Sequence, residues 1–392
     1  MRKNSKEIRD LFLLDDAVSF LNFGSFGACP KPVFEELIKW QRLLEKEPVR
    51  FIVENGPKFL EDSKKALGQY IGASPTDLIF TPNPTFAINI LAKNLLHKDD
   101  EVLTTNLEYG AMDFTWKYYC DKVGAKYIKQ PICLPLATKE QFIEEFWKGY
   151  TPKTSIVFIS HITSSTGLLF PIKEICEEAK RRGLITIVDG AHVPGHIPLD
   201  INNLKVDFYT GACHKWMMAP KGCSFLFASK EFQNRLDPLI ISWGYQSMKS
   251  IDSQFQEFHQ FNGTRDFSAY LCIPAALKFR NDHEWDILLK KCKDSVLKKG
   301  VELSNYLGTK ALAPLTSEFY GQLYSAEIKT DHPEELQRLL YTKYNIEIPV
   351  MRHADHCYIR FSFQPFNQEK EIDELISALD DIKPKSGLWT KP

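Results

Sequence analysis

The sequence predicts an α/β fold with a large domain built on a mostly parallel sheet covered by helices, followed by a smaller C-terminal α+β domain. Two observations predict it. In the middle of the chain, apolar runs of about four to eight residues alternate with helical patterns, which is typical of parallel strands buried on both faces. After about residue 265, long helical patterns replace this alternation. The 392 residues, 44% of them hydrophobic, suffice for two domains with a large core.

The elements of the large domain are predicted from this alternation. The run LITIV at 184–188, for example, is rich in β-branched residues and follows Gly183, which ends the preceding helical pattern. Such short runs favour strands, and the longer amphipathic stretches favour helices. The predicted strands are 77–80, 101–105, 126–132, 155–162, 184–188, 206–210 and 223–228, and the predicted helices are 85–96, 110–123, 139–148 and 172–182.

The C-terminal part is predicted to form a separate α+β domain because its helical zones are long and its strands few. The first thirty residues contain too few elements to stand alone, so we expect them to pack on one of the two domains. The predicted division is therefore an N-terminal segment at 1–30, a large domain at 31–265 and a small domain at 266–392. Within the last, the predicted helices are 268–279, 285–307, 333–344 and 368–382, and the predicted strands are 325–329, 346–350 and 357–363.

Charge and hydropathy exclude several classes of protein. Lys and Arg number 49 and Asp and Glu number 50, so bulk positive charge offers no means of binding nucleic acid or a membrane surface. No apolar run approaches the roughly 18 residues of a transmembrane helix, and the apolar run at 11–14 is too short for a signal peptide. We therefore expect neither a nucleic-acid partner nor a membrane partner.

Cysteine usage favours a reduced, cytoplasmic protein. The nine cysteines are odd in number and scattered, and no two form a C-x-x-C pair. A disulfide scaffold or a zinc module would show paired spacings. His353 and His356 lie close together before Cys357, but this spacing is weak evidence for a metal, and we expect no metal site.

Two segments carry residues suited to catalysis. Asp189 ends the predicted strand 184–188 in the run VDGAH, and Lys215 follows the next predicted strand in the run GACHKW. Alone, Asp-Gly is a common turn and a lysine commonly extends to the surface. Together, an acid and an amine at neighbouring strand ends are the pair that pyridoxal phosphate (PLP) requires. The lysine holds the cofactor aldehyde, and the acid keeps the ring nitrogen protonated.

A longer resemblance supports this interpretation. The run VDGAHVPGHIPLDINNLKVDFYTGACHKWMMAPKG resembles the cofactor site of class V aminotransferase-like enzymes of PLP fold type I. Further segments resemble the family in the family's order, so the resemblance covers nearly the whole chain. Within the family, the chain is most similar to the branch of isopenicillin N epimerase-like proteins and cysteine C–S lyases. The further segments are LNFGSFGACPKPV, TPNPTFAINI, NLEYGAM, SHITSSTG, FNGTRDFSAY and YIRFSFQPFN.

The resemblance implies roles for the residues around the cofactor ring. Lys215 would bind the cofactor and move the proton of the substrate Cα, and Asp189 would pair with the ring nitrogen. His192 would reach the ring 3-oxygen, where many relatives have Gln. Tyr109 would stack on the ring, where cysteine desulfurases have His. The alternatives are an ordinary turn histidine and a core tyrosine at the start of a helix.

The cofactor phosphate would bind at the start of the helix predicted from residue 85. Thr85 and Phe86 supply a hydroxyl and free backbone N–H groups, which suit a dianion; Thr85 could instead be a simple N-cap. His214 would be a second phosphate contact. Gly263 and Thr264 resemble the family segment that reaches the phosphate of the partner subunit, which implies a homodimer.

The substrate side of the predicted site rests on Arg360, in the apolar strand YIRFSF, and on Asn22. Arg360 would bind the α-carboxylate of an amino-acid substrate, because a buried arginine requires an anion; a structural salt bridge is the alternative. Asn22 would line the substrate pocket. Cys357 lies in the strand of Arg360 rather than on a mobile loop, which argues against a persulfide-forming desulfurase.

The predicted function is a PLP-dependent enzyme that removes the α-proton of an amino acid. Epimerisation and C–S β-elimination are the favoured outcomes, by resemblance to the branch, and a class V aminotransferase is the alternative. A non-catalytic binding protein with the same fold is an alternative of another class. It would be expected to lack Lys215 or Asp189, and both are present.

Overall fold

The structure is a computed structural model that describes residues 4–246 and 253–391. Helices account for most of its elements and cover a central sheet. They are α1 (Ser5–Arg9), α2 (Phe23–Phe26), α3 (Lys31–Lys46), α4 (Gly56–Ile71), α5 (Pro84–Leu95), α6 (Gly110–Val123), α7 (Lys139–Trp147), α8 (Ile172–Arg181), α9 (Ile201–Leu204), α10 (Lys230–Gln233), α11 (Gln254–Gln260), α12 (Ser268–Leu271), α13 (Ile273–Asp282), α14 (Trp285–Leu307), α15 (Pro333–Tyr344) and α16 (Lys370–Ser386).

The strands form one large sheet and two smaller ones. They are β1 (Ser19–Phe20), β2 (Leu78–Thr81), β3 (Glu101–Thr105), β4 (Lys126–Gln130), β5 (Thr154–Ser160), β6 (Ile185–Asp189), β7 (Phe208–Ala212), β8 (Ser224–Ala228), β9 (Leu323–Glu327), β10 (Ile346–Glu347), β11 (Val350–His353) and β12 (His356–Ser362).

The large sheet has seven strands in the order β2-β8-β7-β6-β5-β3-β4. The pairs from β7 through to β4 are parallel, whereas β8 runs antiparallel to both of its neighbours, β7 and β2. The prediction of a mostly parallel sheet covered by helices is therefore confirmed.

The continuous apolar runs of the sequence correspond to strands buried on both faces. In β5, Ile156 and Phe158 join the hydrophobic cluster on one face of the sheet, where Phe158 contacts Trp116 of α6. Val157 and Ile159 join the cluster on the other face. Alternate residues of a strand point to opposite faces, so a strand covered on both sides shows no polar alternation.

The C-terminal part contains a three-stranded antiparallel sheet in the order β11-β12-β9. The prediction of a single strand at 346–350 was wrong. Pro349 separates β10 from β11 and has no backbone N–H to donate to a sheet. β10 instead pairs in parallel with β1, so the predicted strand contributes to two different sheets.

The prediction of one helix over 268–279 was also wrong. The chain forms α12 and α13, which are separated at Cys272. Pro274 occupies the first turn of α13, where its missing N–H is tolerated but would interrupt a continuous helix. The helix predicted at 285–307 matches α14.

The N-terminal segment packs against the C-terminal part of the chain. Ser19 and Phe20 in β1 pair with β10, and the backbone N–H of Ser362 donates to the carbonyl oxygen of Leu21 at 2.9 Å. Residues 19–21 therefore lie against β10 and the end of β12. The division at residues 30 and 265 stays a prediction.

The surface combines a near-neutral charge with several exposed apolar side chains. The formal net charge is -1. Phe26, Phe114 and Trp243 expose 70%, 75% and 88% of their surface. Over residues 4–246 and 253–391, no helix combines the length and the hydrophobicity that crossing a bilayer requires.

Candidate active site

The candidate site lies where the parallel strands end. Asp189 is the last residue of β6, and it pairs in register with Ser160, the last residue of β5, and with Thr210 of β7. Lys215 lies in the turn that follows β7. Because the carboxyl ends of parallel strands meet at one edge of a sheet, the fold brings the predicted acid and amine to the same edge.

Lys215 is partly buried, and its Nζ lies 3.1 Å from Nε2 of His192. Burial lowers the pKa of Lys215, and the positive charge of Arg360 lowers it further, whereas the negative charge of Asp189 acts in the opposite direction. A lysine in such a place can become a neutral, nucleophilic amine near neutral pH.

Asp189 is buried, and its Oδ1 accepts a hydrogen bond from the backbone N–H of Ala191 at 2.9 Å. Burial raises the pKa of Asp189, while the Ala191 hydrogen bond and the charge of Lys215 lower it. Among the described residues, no lysine, arginine or histidine forms an ion pair with this carboxylate. Among the described residues, the charge of Lys215 acts on this acid without an ion-pair contact.

His192 is buried between the amine and an indole ring. Its Nε2 faces Lys215, and its Nδ1 lies 3.3 Å from Nε1 of Trp216. Burial, followed by the charges of Lys215 and Arg360, lowers the pKa of His192 well below its ordinary value. The ring is therefore neutral at neutral pH.

Arg360, on β12, places its guanidinium among polar groups that carry no charge. Its Nη1 donates to the backbone oxygen of Ser164 and to Ser164 Oγ at 3.3 Å, and its Nη2 donates to Ser25 Oγ at 3.0 Å. Its Nε has no hydrogen-bond partner among residues 4–246 and 253–391. Burial lowers the pKa of Arg360 to about 10. Within the described part of the chain, Arg360 does not form the structural salt bridge that was the alternative to substrate binding.

Asn22 is joined to Arg360 through Ser25. The Ser25 hydroxyl donates to Asn22 Oδ1 at 2.6 Å and accepts from Arg360. Burial raises the pKa of Glu347, and a hydrogen bond with the side chain of Asn22 opposes this rise. The structure thus places Asn22 beside the guanidinium.

Gly27 allows the N-terminal segment to approach Lys215. Its φ is +64°, and a Cβ atom at this position would lie 2.5 Å from the carbonyl oxygen of His214 and 2.6 Å from that of Lys215. Only glycine fits both this conformation and this approach.

The start of α5 has an N-cap, but the cap is not Thr85. The side chain of Asn83 accepts the backbone N–H of Phe86 at 2.9 Å, so the alternative that Thr85 is the N-cap is wrong. Thr85 and Phe86 lie in the first turn and are partly exposed. Their position leaves the Thr85 hydroxyl available to a ligand.

Tyr109 and His214 differ in their surroundings. Tyr109 is the N-cap residue of α6, is 49% exposed, and lies near enough to Arg360 to interact with it electrostatically. His214 Nδ1 donates to the backbone oxygen of Cys223 at 2.8 Å, and burial lowers the pKa of His214 to about 4. Its Nε2 is not occupied by this hydrogen bond.

Gly263 and Thr264 lie on an exposed loop between α11 and α12. Within one described chain, no hydrogen bond joins either residue to Lys215, Asp189 or His192. A cavity of about 450 Å³ is lined by Asn262 and Arg265, which flank the two residues, and by Phe86. The loop therefore borders the first turn of α5.

Comparison with known proteins identifies the family. The family model for class V aminotransferases, described as "Aminotransferase class-V", matches residues 32–375. This match includes the ends of β3, β5, β6 and β7 and the residues around Lys215.

The chain belongs to the class V aminotransferase family.

Similar proteins of this family include an isopenicillin N epimerase and a desulfhydrase. The isopenicillin N epimerase of Amycolatopsis lactamdurans is 30% identical, and the alignment covers 95% of this chain and 97% of the relative. A protein named probable L-cysteine desulfhydrase, chloroplastic, of Arabidopsis thaliana is 26% identical over 97% of this chain and 86% of the relative. The resemblance to the epimerase and C–S lyase branch is confirmed, and both relatives are named as enzymes.

A solved structure shows the same fold. A C-DES mutant with glycine covalently linked to the PLP cofactor is 21% identical and superposes with a TM-score of 0.80. The superposition covers 95% of this chain and 99% of that chain. It confirms the predicted fold type of the class V aminotransferase family.

Three residues of this class V site were not found from the sequence. Glu108 is buried and accepts from Thr105 Oγ1 at 2.7 Å and from Ser160 Oγ at 2.5 Å, and burial raises its pKa to about 7. Ser25 and Trp216 contact Arg360 and His192. An acid three residues after a buried strand was a signal for Glu108, whereas Ser25 gave none because its partner lies 335 residues away.

Proposed function

We propose that the chain is a PLP-dependent enzyme that removes the α-proton of an amino acid and then completes an epimerisation or a C–S β-elimination. The observation that carries this proposal is the amine of Lys215 and the carboxylate of Asp189 at one edge of the sheet, each altering the pKa of the other. The class V aminotransferase family supports the same cofactor.

The residues around Lys215 fit the cofactor. The buried carboxylate of Asp189 has no cationic partner among the described residues, and a protonated ring nitrogen would supply one. The amine of Lys215 has a lowered pKa, which suits covalent attachment to an aldehyde. His192 would contact the ring 3-oxygen, and Tyr109 would stack on the ring.

The phosphate would be held at the start of α5. Thr85 would donate its hydroxyl to the phosphate. The backbone N–H of Phe86, which here donates to the side chain of Asn83, would donate to the phosphate instead. His214 would donate from Nε2 in its doubly protonated form, because Nδ1 already donates its proton to Cys223; the negative charge of the phosphate would favour that form. Gly263 and Thr264 would reach the same group in the partner subunit.

Arg360 would bind the α-carboxylate of the substrate. It is buried, it has an unpaired Nε, and its Nη atoms are bound to neutral groups in the described part of the chain. A carboxylate is the anion that a guanidinium binds with two hydrogen bonds. Ser25 and Asn22 hold the guanidinium in place, and Asn22 would also line the pocket.

In this proposal Lys215 moves the proton. When bound, PLP supplies a ring that accepts the electrons left at the substrate Cα. Asp189 keeps that ring charged by holding a proton on its nitrogen, and Lys215, in the neutral state that burial favours, takes the proton from Cα. Arg360 orients the substrate so that its Cα–H bond faces this amine.

The fate of the proton separates the candidate reactions. Return of the proton to the opposite face of Cα would epimerise the substrate, and loss of a sulfur group from Cβ would be β-elimination. The isopenicillin N epimerase and the probable desulfhydrase among the relatives support these two outcomes. Cys357 is buried in β12 and its thiol donates to the backbone oxygen of Thr330 at 3.4 Å, so a desulfurase with this residue as nucleophile is not supported.

The proposal includes a homodimer and a reducing, cytoplasmic setting. Gly263 and Thr264 are exposed in the single chain. A loop that contacts a partner subunit is expected to be exposed when that subunit is absent. Exposed apolar side chains such as Trp243 provide surface for such a contact. The nine cysteines are all free thiols, which supports the reducing setting.

Absorbance and product analysis test the function. The purified protein with added PLP should absorb in the visible, and borohydride should attach the cofactor to Lys215. β-Elimination should release pyruvate, ammonia and sulfide from L-cysteine, or pyruvate, ammonia and cysteine persulfide from L-cystine. Epimerisation should instead racemise one of a set of L- and D-amino acids. A keto acid and an aminated cofactor would instead indicate an aminotransferase. A colourless protein that does not bind PLP would contradict the proposal and favour a non-catalytic role.

Lys215→Ala provides the matched variant for this test. The variant should retain no cofactor after borohydride treatment, because it lacks the amine that binds PLP. Its turnover rate should fall at least about 100-fold, because the same amine moves the substrate proton. Lys221→Ala is a suitable control, since Lys221 is on the same loop but donates to the backbone oxygen of Gly27 at 3.1 Å.

A further inference from the structure

Three rings follow one another from the amine of Lys215, in the order His192, Trp216 and His196. Nε2 of His192 lies 3.1 Å from the amine of Lys215, and Nδ1 of His192 lies 3.3 Å from Nε1 of Trp216. The Trp216 ring in turn stacks on the ring of His196, with centroids 3.9 Å apart and an angle of 22° between the planes. All three rings are buried.

The hydrogen bond from Trp216 has only one possible direction. An indole N–H donates and cannot accept, so His192 Nδ1 must accept and carries no proton. A neutral imidazole with an unprotonated Nδ1 carries its single proton on Nε2. The Nε2–H group of His192 therefore points at the amine of Lys215, which accepts it when the amine is neutral.

The position of Trp216 is itself fixed from two sides. His196 Nδ1 donates to the backbone oxygen of His192 at 2.9 Å, and the backbone N–H of Gln322 donates to His196 Nε2 at 2.6 Å. On its other side, the Trp216 ring contacts Phe23, with centroids 5.5 Å apart. The stacked ring of His196 cannot rotate without losing both hydrogen bonds.

We propose that Trp216 is a positioning residue that fixes the tautomer of His192, so that Nε2 of His192 donates toward Lys215 and the space beside it. The support of His196 by Gln322, which directly precedes β9, extends this arrangement to the three-stranded sheet.

The catalytic consequence rests on the proposed function. With Nε2–H directed at the amine, His192 acts as a hydrogen-bond donor to the group bound at Lys215, and it does not compete with Lys215 for the substrate proton. If His192 could change tautomer, its Nε2 would either donate to the amine of Lys215 or accept from it. The protonation state of Lys215 would then depend on the tautomer of His192.

Nuclear magnetic resonance of ¹⁵N-histidine-labelled protein without cofactor tests the tautomer directly. The long-range ¹H–¹⁵N spectrum of wild type should show one His192 tautomer, with the proton on Nε2; the signal is assigned by its loss in His192→Gln. A proton on Nδ1, or averaged shifts for the two nitrogens, would overturn the proposal. Because the measurement needs neither PLP nor turnover, a failure of the proposed function would leave this result intact.

Trp216→Phe removes the donor and keeps the aromatic packing. The shifts of the two His192 nitrogens should move toward each other, because Nδ1 can then carry the proton. Trp285→Phe is the matched control: Trp285 is equally buried, but its Nε1 has no acceptor in the described part of the chain, so the His192 signal should stay as in wild type. Unchanged His192 shifts in a folded Trp216→Phe protein would contradict the proposal, and if this variant does not fold, the wild-type spectrum still decides it.

Discussion

At the scale of single residues, the site contains buried charges that the described chain leaves without opposite charges. Arg360 and Asp189 are both buried, and neither forms an ion pair among the described residues. Burying such groups costs several kcal/mol each unless a partner compensates. The cofactor nitrogen and the substrate carboxylate in our proposal supply the two missing charges.

Arg360→Lys should weaken substrate binding more than it slows turnover. Lysine keeps the positive charge but cannot form two parallel hydrogen bonds to a carboxylate. We expect KM for the amino acid to rise about 10- to 100-fold, which corresponds to the free energy of one hydrogen bond to a charged group. The change in kcat should be smaller. Steady-state kinetics would measure this, and an unchanged KM would contradict the role of Arg360.

Glu108→Gln should change the pH dependence of stability. The folded pKa of Glu108 is about 7, raised by burial from 4.5. Between these two pKa values the folded state binds more protons than the unfolded chain. The contribution of Glu108 to the free energy of unfolding therefore falls as the pH rises through this window, and it does not change with pH below 4.5. The free energy of unfolding of the Gln variant, relative to wild type, should therefore increase by up to about 3 kcal/mol across this window.

Urea unfolding at several pH values would measure this difference. Ser160→Ala is an informative second variant, because the Ser160 hydrogen bond lowers the pKa of Glu108. Its loss should extend the window to higher pH. A difference between Glu108→Gln and wild type that is constant with pH would show that the carboxyl does not titrate in this range.

At the scale of elements, the apolar runs and their turns predicted most of the large sheet. β3 and α6 begin and end where the sequence places them; two aspartates precede β3, and glycines stand at the start of α6 and directly after its end. The separation of β10 from β11 was missed, although Pro349 was visible. The pairing of β10 with β1 depends on residues more than 300 positions away, which no local pattern encodes.

Gly27→Ala should destabilise the turn that packs against Lys215. A Cβ atom at residue 27 would lie 2.5 Å from the oxygen of His214, and φ is +64°. We expect a loss of about 3 kcal/mol or more from the steric conflict and the backbone strain together. Gly222→Ala is the matched control, since its φ is +83° but nothing lies within 4 Å of the added methyl group, so only about 1 kcal/mol should be lost.

Chemical denaturation of the two variants would separate these contributions. The trapping of PLP on Lys215 should fall in Gly27→Ala, because the backbone of His214 and Lys215 must move. Equal losses of stability in the two variants would show that the close approach at Gly27 contributes nothing.

At the scale of the whole molecule, the sequence could predict the fold and the strand ends but not the assembly of the substrate side. Lys215 and Asp189 follow neighbouring strands of one sheet, so their proximity follows from the topology. Arg360, Ser25 and Asn22 come together only because the N-terminal segment packs on β12. The roles of Arg360 and Asn22 were implied by the family resemblance and not by spacing, whereas the role of Ser25 was not found from the sequence.

Trp243→Glu should convert the proposed homodimer into a monomer. Trp243 is 88% exposed in one chain, and a charge would oppose its burial against a partner. Analytical ultracentrifugation should give twice the 45.2 kDa of one chain for wild type and a single chain mass for the variant. If the homodimer supplies Gly263 and Thr264 to the phosphate, PLP should also bind more weakly to the variant. A wild-type protein that sediments as a monomer would contradict the homodimer.

The hydrogen bond between Ser362 and Leu21 joins positions 341 residues apart. During translation, β1 and the loop after it must therefore wait for nearly the whole chain to leave the ribosome, roughly 20 to 70 s at about 5–20 residues per second. The large sheet can form in that interval, but its substrate-binding edge stays open. A nascent enzyme of this kind is consequently inactive until its last strands are made, and its N-terminal apolar residues are exposed to chaperones throughout.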